Sequence, residues 1–371
     1  MNLALSDEQQ FLKEAARAAL SRVQTVEAAR DALDGKELPD LWPLAREAGW
    51  PGLLVEEGKG GAGLGAFDAM LVLEECGRVL AAVPILSHLC ATALLSAAGG
   101  DELLAQLASG ERRAAYLPLV PPQDGASFSA EHGQEPLALK QAGDGYTLTG
   151  KAAFVPEAPG ADLLVGGALL DGKPAVFAVE SGASGVEVTP LRRYDATRPL
   201  AHLSFSEAKP VFVAAEGAAP LTDAWYLAQA LLAAESVGAV ERTLEVTVEY
   251  AKERYTFARP IGSYQAVKHQ LVEVLRQLEN SRSLLYYAGW AHESAPAEFP
   301  LAASSARALA TPALEYGSRT MIAVHGGIGA TWEHDAHLYF RRAQLSRLIY
   351  GGARQAARRV AGELFAGVRP T

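Results

Sequence analysis

Cysteine is nearly absent from this chain: two, Cys76 and Cys90, in 371 residues. Two cysteines build no disulfide framework, and their spacing inside apolar helical sequence fits no metal motif. They read as small core residues in a reducing compartment. Basic charge is also scarce. Lys and Arg total 33 against 43 Asp and Glu, a formal net charge of −10, and no Lys/Arg block marks a polybasic tail. That argues against nucleic acid as a main partner, because such binders present a concentrated basic surface. No apolar run reaches the ~18 residues a membrane helix needs, so no membrane span is expected. The opening MNLALSDEQQ lacks the charged and apolar regions of a secretory signal, and a cytoplasmic protein is expected. HExxH, Cys–His spacings and GxSxG are all missing. His325, His334 and His337 cluster with Glu333 and Asp335 in sequence, yet at no metal-ligand spacing, so no metal is expected.

What the chain does have is length and apolar periodicity. It is 49% hydrophobic and 20% charged, ordinary for a folded soluble protein and long enough for two or three domains. Residues 1–115 read as helices. Ser6 with Gln9 three residues later is a capping-box pattern. GKGGAGLG at 58–65 marks a loop, and the apolar stretch after it is broken at Pro84. Residues 116–215 change to short strands with turn signals, including LLVGGALL and KPAVFAVE joined by Asp-Gly. Their spacing suggests a small antiparallel sandwich or barrel. Residues 216–371 return to helix. Leu227, Leu231, Ala234, Val237, Val240, Leu244, Val248 and Ala251 recur at steps of three or four, which predicts one long helix to about residue 253. Two or more further helices follow, with Pro312 at a candidate kink. The class expected is α+β, predominantly α: an N-terminal helical domain, a middle β domain and a C-terminal four-helix bundle.

The stretch RYTFARPIGSYQAVKHQ, 254–270, holds more chemistry than a helix-to-helix turn requires. Arg254, Phe257 and Gln265 stand at spacings that, with HGGIG at His325–Gly329 and the loop–helix GLLVEEGKGGAGLGAFDAMLVLEECGR, resemble the acyl-CoA dehydrogenase family of flavoproteins. RYDATRPLAHLSFSEAKP is similar to the last strand region of that family's middle domain. The resemblance runs over nearly the whole chain and rests on motif order and spacing together. It implies FAD as cofactor, an acyl-CoA thioester as substrate, an electron-transfer acceptor, and an oligomer in which this turn reaches the FAD of a neighbouring subunit. Under it, Arg254, Thr256, Phe257, Gln265, His325, Gly326, Gly327 and Gly329 are the cofactor-binding candidates. Arg gives a pyrophosphate a bidentate cation, and glycine amides approach a phosphate without an intervening Cβ.

The departures from the family concern catalysis. The family removes an α-proton with a Glu. At its two positions this chain carries Tyr350 and Ala228, so the catalytic residue stays unassigned. Tyrosine titrates near ~10 and is a poor base at neutral pH. Glu235 lies seven residues past Ala228, about 10.5 Å along a helix, too far to replace it. LPLVPPQDGASFS stands in place of the family's opening of the β domain. Phe154 and Val155 of KAAFVPEAPGAD stand where the family flanks the flavin ring, and Ala323 replaces a family Gln. This pattern is similar to subunits of heteromeric dehydrogenases acting on steroid-type acyl-CoAs. Two alternatives to an active FAD-dependent acyl-CoA dehydrogenase, α,β-dehydrogenating a thioester, therefore stay open. One is a catalytically deficient subunit of a heteromeric acyl-CoA dehydrogenase, the assembly expected being a homo- or hetero-oligomer, a dimer of dimers or a mixed tetramer. The other is an enzyme-fold binding protein.

Overall fold

The computed structural model describes residues 4–123, 127–192 and 194–366. Residues 124–126 of LPLVPPQDGASFS, and Arg193 at the head of RYDATRPL, lie outside the described residues. Helices come first: α1 (Asp7–Leu20), α2 (Thr25–Leu33), α3 (Trp42–Glu47), α4 (Ala66–Arg78), α5 (Ile85–Ala98) and α6 (Asp101–Ala108). Helix α1 starts on its capping box: Ser6 Oγ accepts the Gln9 amide at 3.2 Å, and Gln9 Oε1 accepts the Ser6 amide at 3.0 Å. Two otherwise orphaned donors are satisfied reciprocally. Helix α5 is buried on every side over Ile85–Thr92, which explains why its sequence shows no polar face.

The middle region is one hydrogen-bonded set of eight strands: β1 (Ala114–Leu117), β2 (Ala138–Ala142), β3 (Gly145–Pro156), β4 (Leu163–Leu170), β5 (Lys173–Glu180), β6 (Val186–Pro190), β7 (Leu200–Ala208) and β8 (Phe212–Ala214). The order is β6-β7-β3-β2-β4-β5-β8, with β1 added beside β4. The expectation of a purely antiparallel sheet is corrected in one place. β1 and β2 both run parallel to β4, one against its first half and the other against its last residues. Strand β4 is apolar throughout because both its faces are covered. Leu163 and Val165 join the helical core, whereas Leu164 and Ala168 join a second core with Phe177, Leu203 and Phe205. Alternate side chains of a strand point to opposite faces, and here neither face meets water.

The last third is helical: α7 (Ala218–Glu253), α8 (Gln265–Ser294), α9 (Phe299–His325), α10 (Ala336–Ser346) and α11 (Gly352–Ala366), with a small hairpin, β9 (Tyr255–Thr256) and β10 (Arg259–Pro260), between α7 and α8. Helix α7 has 36 residues, roughly 54 Å of rod. Helix α9 packs against α7, α8, α10 and α11 and runs unbroken through the exposed Pro312. Helices α4 and α7 touch backbone to backbone. A Cβ at Gly77 would lie 2.0 Å from the Glu235 carbonyl, and one at Gly238 would lie 1.8 Å from the Glu74 carbonyl. This glycine crossing fixes where along α7 the N-terminal helices sit.

Candidate functional site

Helix α7 ends at Glu253 because Arg254 turns extended, at φ −79 and ψ 121. β9 and β10 then pair with Arg259 opposite Thr256, leaving a two-residue loop of Phe257 and Ala258, at φ 49 and 62. Two positive φ values in a two-residue hairpin are the signature of a type I′ turn, normally Asn-Gly. Here the turn is built from a phenylalanine and an alanine, and Phe257 is 93% exposed. Tyr264 locks the hairpin from below: its hydroxyl donates to the Thr256 carbonyl at 3.2 Å, and the Arg259 guanidinium lies 4.8 Å from its ring centre. Arg254, Thr256 and Gln265 are exposed around this tip. Among the described residues the Arg254 side chain has no ion-pair partner.

The end of α9 reaches the same end of α7. His325 stacks on Tyr250 at 4.1 Å, meets His334 at 4.2 Å, and its Nδ1 is 2.7 Å from the Met321 carbonyl. It is 5% exposed, and burial lowers its pKa. His325 therefore packs α9 against α7 through Tyr250, with its Nδ1 engaged by the Met321 carbonyl. The glycines after it differ from one another. Gly329 is required internally, since a Cβ there would meet Ile322 O at 2.6 Å. Gly326 and Gly327 are exposed, with nothing within 4 Å of an added Cβ. At Gly327, with an ordinary helical φ of −55, no contact within the chain calls for glycine. An open groove of about 680 Å3 beside them is lined by Tyr250, Glu253, His325 and Ile328.

The chain's own cleft is filled. Tyr350, at φ 50, is completely buried, its ring edge-on to Tyr116 at 5.7 Å. Its hydroxyl is 3.0 Å from Ser87 Oγ, which donates to the Pro156 carbonyl at 3.1 Å, and Gln229 donates to the Tyr350 carbonyl at 2.9 Å. With the serine proton committed, the tyrosine is the donor. Burial drives its pKa far above the ordinary phenol value, so it is a packed neutral side chain and no base. Ala228 is fully buried in α7. Glu235 is held by Arg198, whose Nη2 reaches both carboxylate oxygens at 2.5 and 2.6 Å.

That pair belongs to a network which sequence reasoning did not assemble. Arg342 of α10 donates from Nε to Asp195 at 2.7 Å and from Nη2 to Thr197. Its Nη1 lies 3.9 Å from Glu235. Glu157, at the end of β3, lies 3.7 Å from Arg198 and accepts the Ser87 amide at 2.9 Å. Burial would raise the Asp195 carboxyl, but the Arg342 charge and the Thr197 donors outweigh it and hold it below its ordinary value. Burial wins at Glu157 and raises it despite Arg198. Helices α5, α7 and α10 and the sheet are thereby tied together. The one sequence signal was a lone charge inside an apolar run, as at Glu235 in LLAAESVGAV. Glu131 gave no signal at all. Its carboxylate is enclosed, though the residue as a whole is only half-buried. Burial raises it to about 8, although a hydrogen bond from the Gly351 backbone N–H pulls the other way. Its Oε1 has no partner among the described residues.

Phe154 sits at a bulge where the β3–β7 register shifts between Ala152 and Val155. It is 44% exposed, between the rings of His132 and His202 at 5.3 and 4.9 Å. The cavity behind it, lined by Leu117, Glu131, Ala153 and Val155, measures about 30 Å3, room for a single water rather than a three-ring cofactor. The residues thus fit FAD unevenly. The exposed turn and the Gly326–Gly327 amides suit its adenosine and pyrophosphate, whereas the enclosed cavity behind Phe154 is too small for its ring, which leaves the open hollow of about 400 Å3 lined by Ala152, Ala153 and His202 beside the sheet.

Comparison with known proteins gives the family context. Residues 6–120 match the model of the acyl-CoA dehydrogenase N-terminal domain, and residues 217–364 match that of the acyl-CoA dehydrogenase C-terminal domain. The acyl-CoA dehydrogenase IpdE2 of Mycobacterium tuberculosis is 32% identical, over 97% of this chain and 98% of that protein. A subunit of the ChsE4-ChsE5 complex from Mycobacterium tuberculosis superposes with a TM-score of 0.88 at 31% identity, covering 100% of both chains. PigA, solved with FAD and proline, shares the fold at a TM-score of 0.85 and 24% identity, over 98% and 99% of the two chains. FAD is thus the cofactor found with this fold. No helix among the described residues is long and apolar enough to cross a membrane. With both helical regions matched and a curated relative aligned nearly end to end, the chain belongs to the acyl-CoA dehydrogenase family.

Proposed function

We propose that this chain is one subunit type of a heteromeric FAD-dependent acyl-CoA dehydrogenase, and that its 254–265 turn completes a flavin site held mainly by a different, partner chain. The observation that carries this reading is Phe257, 93% exposed on a turn whose two positive-φ residues are not glycine. Strained backbone and a bare aromatic ring persist where the surroundings fix them, and here those surroundings lie outside the chain. A filled cleft around Tyr350 supports the same division of labour, as does the likeness to a complex named for two chains, ChsE4 and ChsE5.

In this arrangement Arg254 pairs with the pyrophosphate through a bidentate fork, and Thr256 donates a hydroxyl beside it. Phe257 covers an apolar face of the cofactor. Gln265 and the amides of Gly326 and Gly327 contact the adenosine end, with no Cβ in the way. FAD, when bound, accepts the hydride released in α,β-dehydrogenation of an acyl-CoA thioester. The carboxylate that takes the α-proton would come from the partner chain, and an electron-transfer protein would be the acceptor. This chain orients the cofactor and excludes water from one side of it. The test is the flavin content of the complex purified from its native host with Arg254→Ala or Phe257→Ala in this chain. Flavin is expected to fall with assembly intact. Unchanged flavin would remove the turn from the cofactor site.

A further inference from the structure

A hollow of about 370 Å3 lies between the end of α2, the segment joining β6 to β7, and the approach to α10. It shares no lining residue with the 254–265 turn, the Tyr350 cleft or the groove beside Tyr250. Its wall is Leu33, Leu38 and the indole of Trp332, and its cations are Lys36, Arg192 and Arg341. Two features set it apart from an ordinary charged surface. The first is Arg341. It donates to the Tyr194 carbonyl at 3.0 Å and to His337 Nδ1 at 3.3 Å, and it lies 4.3 Å from the Tyr194 ring centre and 5.8 Å from that of Trp332. Every one of these contacts is to a neutral group. The guanidinium is held in place, yet among the described residues no carboxylate pairs with it or with Arg192.

The second is the floor. Trp332 is fixed by its indole N–H, which donates to Asp34 at 3.2 Å, and by stacking on His337 at 5.2 Å with the planes 16° apart. Three of the acids nearby have partners. Asp34 takes the indole proton, Asp31 pairs with Lys36 at 2.9 Å, and Asp335 pairs with Arg30. A pre-oriented cation beside a flat, fixed aromatic surface binds an anion that has a planar ring attached. The volume lies within the range of small-molecule sites and exceeds what inorganic phosphate alone fills.

We infer that this hollow is a binding site for a phosphorylated nucleoside, its phosphate on Arg341 and Arg192 and its base against Trp332. The same chemistry comes from a free nucleotide or from the phosphorylated adenosine of coenzyme A. The inference stands apart from the subunit reading, since it concerns a different face and needs neither flavin nor turnover. Calorimetric titration of the purified full-length chain with AMP, coenzyme A, adenosine and inorganic phosphate tests it.

AMP or coenzyme A is expected to saturate one site, with adenosine and phosphate each at least about tenfold weaker, because each carries half of the recognition. Comparable affinity for AMP and coenzyme A identifies a free-nucleotide site, and clear preference for coenzyme A identifies the thioester's nucleotide as the source. Arg341→Gln should weaken AMP at least about tenfold. Exposed Arg192→Gln, which leaves the packing untouched, should weaken it measurably, and higher salt should do the same. Absence of saturation at millimolar AMP and coenzyme A overturns the inference. So does equal binding of adenosine alone, or affinity unchanged in both variants.

Discussion

Tyr350 and Glu131 meet at the backbone of Gly351, and burial drives both toward their neutral forms. For Glu131 the direction has a measurable consequence. Its folded-state pKa, about 8, lies above the ordinary carboxyl value of 4.5. The folded chain therefore holds a proton which the unfolded chain releases between those two values. The stability that protonated Glu131 contributes is fully present below the lower value and is lost as pH rises toward the upper one. Glu131→Gln should raise the melting temperature at pH ~8 and leave it nearly unchanged at pH ~4.5. An equal effect at both pH values would contradict the burial argument. Glu235 is instead one side of a buried ion pair with Arg198. Glu235→Ala removes the carboxylate that Arg198 donates to, leaves the guanidinium only Glu157 at 3.7 Å among the described residues, and should cost roughly 3–5 kcal/mol in urea unfolding. A loss below ~1 kcal/mol, the range of exposed pairs, would mean that the pair is solvated.

At the scale of elements, the β9–β10 hairpin and the α4–α7 crossing place opposite demands on small residues. In the hairpin, Ala258 occupies a left-handed conformation at φ 62. Ala258→Gly should stabilise the chain by about 1 kcal/mol, since the Cβ clash disappears. No gain in the unfolding midpoint would show that the turn relaxes in solution. At the crossing, Gly238→Ala pushes a methyl into the Glu74 carbonyl and should cost about 1–3 kcal/mol. The periodicity of α7 was legible because its apolar stripe obeys one local rule over ten turns, and the helix ends where that stripe ends, at Glu253. That Arg254, Thr256, Phe257 and Gln265 gather around one turn was legible for the same reason: they lie within twelve positions of one another. His325 was harder. Its neighbours in sequence are exposed glycines, and the ring that covers it, Tyr250, lies 75 positions earlier. The parallel pairing of β1 and β2 with β4, the buried Arg198–Glu235–Arg342 network and the enclosed carboxylate of Glu131 depend on contacts between distant segments. No local pattern carries them.

Across the whole molecule, two regions differ in how open they are. The end of the helical layer that bears Phe257 is open and carries polar groups with no use inside the chain. Between sheet and helices, Tyr350, Tyr116 and the carboxylate of Glu131 fill the interior, with an enclosed cavity of about 30 Å3 behind Phe154 and an open hollow of about 400 Å3 beside Ala153 and His202. Under the proposed function, a chain built this way contributes to a flavin site held mainly by its partner. The measurement that tests this most directly is the visible spectrum of the purified chain, alone and then in complex with its partner subunit, read at the flavin band near ~450 nm. The chain alone should show no flavin absorbance after incubation with FAD and no turnover of acyl-CoA with an artificial electron acceptor. The complex should show both, and both should fall with Phe257→Ala in this chain. Stoichiometric flavin and steady turnover by the isolated chain would contradict the account.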